Sequence, residues 1–216
     1  MRNLFGLAFI VAAALASSGY HIIERIQIGG AGGWDYVTVD SAHRRLYVTN
    51  STRVVVVDLD SQKVVGEIKD TPGVHGVALA PGLGRGFTSN GRSNGVTIFD
   101  LGTLAAIGQV KTGENPDAIV YDPVSSRVFT LNGRSKDSTV IDAKSGEVVA
   151  TLPLGGKPEF AVADGKGKVY VNVEDTSELA EIDVRQPKVT RRWSLAPCEE
   201  PSGLALDAKR GRLFSV

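Results

Sequence analysis

The strongest constraint on this chain is that it repeats itself. Five segments, DYVTVD (35–40), HGVALA (75–80), DAIVYD (117–122), EFAVAD (159–164) and SGLALD (202–207), begin 40, 42, 42 and 43 residues apart. A polar turn follows each, then a second run: LYVTN, GFTSN, VFTLN, VYVNV and LFSV. A third run closes on Asp58, Asp100, Asp142 and Asp183, and a fourth follows it (KVVGEIK, AAIGQVK, EVVATLPL, VTRRWSL). Four short strands per repeat of about 42 residues, joined by tight turns, make the pattern of a propeller blade. One such sheet cannot cover both of its faces, so neighbouring copies must stack. Stacking explains why Val54 to Val57 is continuously apolar instead of alternating. The expected fold is all-β, a β-propeller of four-stranded antiparallel blades at 34–73, 74–115, 116–157 and 158–200, with part of a fifth at 201–216.

Composition fits this reading and narrows the function. Lys plus Arg equals Asp plus Glu, at 24 each, so no global field attracts nucleic acid or an anionic membrane. Cys198 is the single cysteine, which excludes a disulfide within these residues and any cysteine-based zinc motif. No Gly-x-Ser-x-Gly elbow or HExxH is present. Gly82-Leu83-Gly84-Arg85-Gly86 imitates a phosphate loop but falls between two strands.

The first residues read as a secretory signal. Arg2 is the charged start, Leu4 to Leu15 is nearly all apolar, and Ala14-Leu15-Ala16 offers the small residues of a cleavage site. The expected signal is 1–16. A membrane anchor is the competing reading, but 12 residues are too few to cross about 30 Å of hydrocarbon as a helix. The expected location is therefore periplasmic or secreted, in a bacterium, with no stable membrane insertion after cleavage.

Tyr47-Val48-Thr49-Asn50 gives a more specific resemblance. The chain resembles the YVTN-repeat, YncE-like β-propellers, a family of exported bacterial proteins, over residues 20–216. Later repeats drift to FTSN, FTLN and YVNV. The resemblance implies seven blades, so a chain ending within its fifth repeat is expected to be truncated at its C-terminus. A closed ring of four or five blades is the alternative. His21 to Gly30 matches a fourth strand (compare 148–156), and 20–30 is the expected closing strand of the ring. Some relatives bind single-stranded DNA, which needs basic and aromatic residues together. Only Arg92, Arg134 and Trp34 favour that here, so nucleic acid is not the expected partner.

The loops entering strand one and those joining strands two and three share one face of a propeller. Asp35, His75, Asp117, Glu159 and Ser202 open the first strands there, and Trp34 adjoins Asp35. Asn50, Asn90 and Asn132 end the second strands, with Arg92 and Arg134 in the loops beyond. One reading is a polar channel mouth that binds a small molecule, a peptide or a protein. The expected binding residues are Trp34, Asp35, Asn50, His75, Asn90, Arg92, Asp117, Asn132, Arg134 and Glu159. No catalytic residue and no resident cofactor is assigned. Under the alternative of a lactonase-type hydrolase, which is a fold-level analogy, Asp35, Asp117, Asn132 and Glu159 would hold a divalent ion such as Ca2+. The other reading is structural, since Asp and Asn at strand ends satisfy turn backbone groups wherever a fold repeats. On the opposite face a cation precedes each second strand (Arg45, Arg85, Arg127, Lys168, Arg212). It follows an Asp at 40, 122, 164 and 207, which reads as a local turn device.

Overall fold

The computed structural model describes residues 20–216, and the expected signal at 1–16 lies outside them. The described chain is a β-propeller with four complete four-stranded antiparallel sheets and a further hairpin. Blade one holds β1 (Trp34–Asp40), β2 (Arg45–Asn50), β3 (Arg53–Asp58) and β4 (Lys63–Ile68). Blade two holds β5 (Val74–Ala80), β6 (Arg85–Asn90), β7 (Gly95–Asp100) and β8 (Ala106–Lys111). Blade three holds β9 (Pro116–Asp122), β10 (Arg127–Asn132), β11 (Asp137–Asp142) and β12 (Val148–Pro153). Blade four holds β13 (Pro158–Ala163), β14 (Lys168–Val173), β15 (Glu178–Asp183) and β16 (Lys188–Ser194), and β17 (Leu204–Asp207) pairs with β18 (Arg212–Ser215). Every pairing follows sequence order, as a meander requires. The strand expected at 20–30 is not formed: a strand exists only against a partner, and none of the described strands pairs with this segment. Its Ile22 and Ile23 are exposed.

The Asp that closes each third strand explains the turn after it. Asp58, Asp100, Asp142 and Asp183 each accept the backbone N–H three residues ahead, at 2.7, 2.7, 2.7 and 3.2 Å. Such an Asx turn costs little and fixes the hairpin register.

Blades meet through their apolar faces. Val54 to Val57 are all buried. Tyr47, Val54, Val56 and Ile68 of blade one pack with Val74, Val77, Phe99 and Leu101 of blade two. Ala80, Phe87, Val96 and Ile98 then meet Val128, Ile141 and Ala143. A third cluster joins blades three and four through Phe129, Leu131, Val169 and Ile182. Each fully buried side chain of this kind contributes about 1.5–3 kcal/mol, so the seams carry most of the cohesion. Gly86 makes one of them fit, because a Cβ there would lie 2.1 Å from the Phe99 ring.

The cations before the second strands act across these seams. Arg45 donates to Leu101 O at 2.6 Å, Arg85 to Ala143 O and Lys144 O at 3.2 and 2.5 Å, and Arg127 to Val184 O at 2.7 Å. Each arginine therefore holds the turn of the next blade and not the aspartate of its own hairpin. The expected local device is only half present. Asp40, Asp122 and Asp207 bond His43, Ser125 and Arg210 in their own turns. Lys168 stays within its blade, between Glu181 and Asp183 at 3.2 Å each.

The first strands lie innermost, each beside the first strand of the next blade. Thr38 Oγ1 donates to Val77 O at 2.9 Å between two of them. Tyr36 and Phe160, from blades one and four, bring their rings to 5.4 Å across the central axis.

Candidate functional site

At its mouth end, the first strand of each of the four complete blades breaks register with the second. The shifts fall between Trp34 and Val37 and between Val74 and Val77. Asn132 pairs with Pro116 while Leu131 pairs with Ala118, and the fourth shift lies between Pro158 and Ala161. The residues inside these bulges include Asp35, His75, Asp117 and Glu159. An extra residue in one strand re-aims its side chain out of the ladder. The bulge thus converts four sheet positions into four residues directed at the mouth. Sequence periodicity places the residues but not the bulge, because one inserted residue leaves the apolar pattern of the strand readable.

Three of them converge. His75 Nδ1 lies 2.6 Å from Asp35 Oδ2 and 3.2 Å from Asp117 Oδ1. One donor atom from each residue falls within 4.8 Å of the others, a spacing that fits a metal ion. Gly91 makes room for the imidazole: a Cβ there would stand 2.7 Å from His75 Nε2 and 2.7 Å from Asn115 Oδ1.

The neighbouring groups set the charge. Burial raises the Asp117 carboxyl above its ordinary value of 3.8; Asp35 pushes the same way and His75 opposes. Burial and then the Asp117 charge raise Glu159 above its ordinary 4.5. The Lys157 ammonium is 3.3 Å from Glu159 Oε2, yet that buried oxygen accepts no hydrogen bond. Lys157 makes its close contact with Glu174 instead, and this contact holds the ammonium above its usual range. Tyr36 sits just below. Burial first, then the charges of Asp117, Glu159 and Asp35, push its phenol far above its usual value. The mouth is therefore acidic, with the His75 imidazole and the Lys157 ammonium as its near basic groups.

The other expected site residues stand elsewhere. Asn50, Asn90 and Asn132 are buried, and their amides serve the chain itself. Asn50 bonds Gly33 O and Arg53; Asn90 bonds Thr88 and Thr97; Asn132 bonds Thr130, Asp137 and Thr139. Of the expected ion-binding set, Asp35 and Asp117 meet, His75 joins them, and Asn132 is committed to its own sheet. Trp34 is exposed at the start of β1, and Arg92 and Arg134 are exposed in the segments that follow the second strands. Tyr36, which the sequence reading passed over, borders a small groove of about 60 Å³ between the first strands, with Gly76, Ala118 and Phe160.

No family model matches the sequence, and a search of curated proteins finds no match. Solved structures do match in fold. Hydrazine synthase of Kuenenia stuttgartiensis superposes with a TM-score of 0.72 at 19% identity, over 85% of this chain and 54% of that one. The Cps50 (Swd1) β-propeller domain of Myceliophteria thermophila gives 0.73 at 12% identity, over 86% and 62%. The chain spans less than two thirds of the length of either. At such identities the likeness is one of fold, and it agrees with the blade architecture.

Proposed function

We propose that this chain is a binding propeller whose channel mouth takes a divalent cation at Asp35, His75 and Asp117. The observation that carries this reading is the convergence of three side chains from three successive blades on one point. An imidazole between two carboxylates suits a borderline ion such as Zn2+ or Mn2+ better than Ca2+, which prefers oxygen alone. Binding an ion needs the carboxylate form and burial holds the proton on Asp117, so affinity should rise with pH as Asp117 ionises.

The finer family reading belongs to the same proposal. Membership of the YVTN-repeat group is supported by Tyr47-Val48-Thr49-Asn50, and export by the pattern of Arg2 and the apolar run after it. The ligand carried with the ion is a small molecule or a peptide. The acidic mouth disfavours a nucleic-acid backbone.

Calorimetric titration of the protein with Zn2+, Mn2+ and Ca2+ tests this. Saturable binding that His75→Ala weakens is the expected result. Heats no greater than dilution for all three ions would overturn it. A second reading, metal-assisted hydrolysis of a lactone, draws on Glu159, whose carboxyl, raised by burial, suits a general base. Turnover of lactones by the metal-loaded protein that Glu159→Gln abolishes would favour it; no turnover across a lactone panel would remove it.

A further inference from the structure

A second site is written into the difference between blades two and three. In blade three, Asn132 Nδ2 donates both of its hydrogens, to Thr139 Oγ1 at 2.9 Å and to Asp137 Oδ1 at 2.6 Å. Blade two keeps the same asparagine and threonine. Asn90 Nδ2 donates to Thr97 Oγ1 at 2.9 Å, and Asn90 Oδ1 accepts from Thr88 at 2.9 Å. The residue paired with the asparagine, however, is Gly95 where blade three has Asp137. Blade four has Glu178 at this place, bonded to Arg192, and blade one has Arg53, bonded to Glu67. Only blade two, among the four complete blades, presents no side chain there.

The consequence is a cavity of about 280 Å³ where the other blades carry a charged group. Asn90, only 2% exposed, lines it with one amide hydrogen unused. Thr71, between the lining residues Asp70 and Pro72, is fully buried and its hydroxyl also lacks a partner. At the rim stand Asp70 and Lys111, both exposed, and neither side chain enters an ion pair or hydrogen bond among the described residues. Val96, Val110 and Pro72 supply an apolar wall. The volume exceeds the roughly 30 Å³ share of a water molecule many times over, yet lies below the usual range for drug-sized ligands, about 300–1,000 Å³.

We propose that this cavity binds a small zwitterion of the α-amino-acid type. Its carboxylate takes the place that the Asp137 carboxylate holds in blade three, accepting from Asn90 and Lys111. Its ammonium faces Asp70, and a short aliphatic side chain lies on the valines. A simple carboxylate would leave Asp70 facing it unpaired, and a simple amine would leave Lys111 and the Asn90 N–H unmatched. The site is separate from the proposed cation site and stands whether or not that one does.

The test is calorimetric titration of the protein with a panel of L-α-amino acids, with acetate and methylammonium as half-ligands. At least one amino acid is expected to bind saturably, and both half-ligands more weakly. Lys111→Gln and Asp70→Asn are each expected to weaken binding about tenfold, the worth of one charge-assisted contact, at unchanged melting temperature. His75→Ala is expected to leave this binding intact, which separates the two sites. Absence of saturable binding by every amino acid overturns the proposal. So does binding indifferent to both charge variants, and so does acetate binding as tightly as the best amino acid.

Discussion

Arg127 Nη1 donates to the carbonyl of Val184 at 2.7 Å, from the hairpin of one blade to the turn of the next. Val184 is fully buried, so its carbonyl has no ready substitute in solvent. Arg127→Ala should therefore destabilise the protein by about 1–3 kcal/mol, the cost of a lost bond from a charged donor to a group left unmatched. Urea denaturation reads this directly. A loss below the error of the measurement would mean that the arginine contacts are incidental to blade stacking.

Gly86 and Phe99 illustrate the tightness of the same seams. A methyl group at 86 would stand 2.1 Å from the ring, so Gly86→Ala should cost about 1–3 kcal/mol through overpacking. Adding Phe99→Leu should recover part of that loss, since a smaller side chain vacates the contested volume. Simple additivity of the two costs would show that the contact is not the cause.

Gly91 connects packing to the mouth. A Cβ there meets His75 Nε2 at 2.7 Å, so Gly91→Ala should turn the imidazole away from Asp35 and Asp117. Cation affinity should fall about tenfold or more, as when a supporting contact of a metal site is removed, with little change in far-ultraviolet dichroism. Unaltered affinity in this variant would argue against His75 as a ligand.

Asp117 and Glu159 set a pH dependence of known sign. Both carboxyls are raised above their ordinary values, mainly by burial. The folded state therefore holds their protons more tightly than the unfolded chain does. That contribution is fully present below the unfolded values and is lost as pH rises through the folded ones. The depressed turn carboxylates, Asp100 and Asp142 among them, act in the opposite direction, being held down by backbone N–H donors. The comparison must therefore be between wild type and Asp117→Asn/Glu159→Gln. The double variant should be the more stable near pH 7 and should lose this advantage near pH 3. A wild type that melts higher at neutral pH would reverse the assignment.

The blade pattern was legible because each strand position answers to a local rule. Val54 to Val57 announced a two-sided sheet, and Asp58, Asp100, Asp142 and Asp183 announced the turns. The mouth was legible in part: Asp35, His75 and Asp117 were named from their place in the repeat, and they meet. The asparagines were not separable from them on sequence. Both classes sit at strand ends, and only the bulge directs one outward while the ladder keeps the other inside. Arg45, Arg85 and Arg127 misled for a related reason. Spacing ties a cation to its own hairpin, whereas the carbonyl it reaches lies more than fifty residues further along the chain. The segment 20–30 has the pattern of a fourth strand, but pattern alone does not supply the neighbour a strand requires.

The bulges carry one last implication. Each complete blade delivers its mouth residue from a kink in the ladder, and none of those four residues belongs to the apolar clusters that join the blades. Recognition and architecture are then set by different letters of the repeat. A lineage could rewrite the mouth one blade at a time, changing what is bound without renegotiating how the blades hold together.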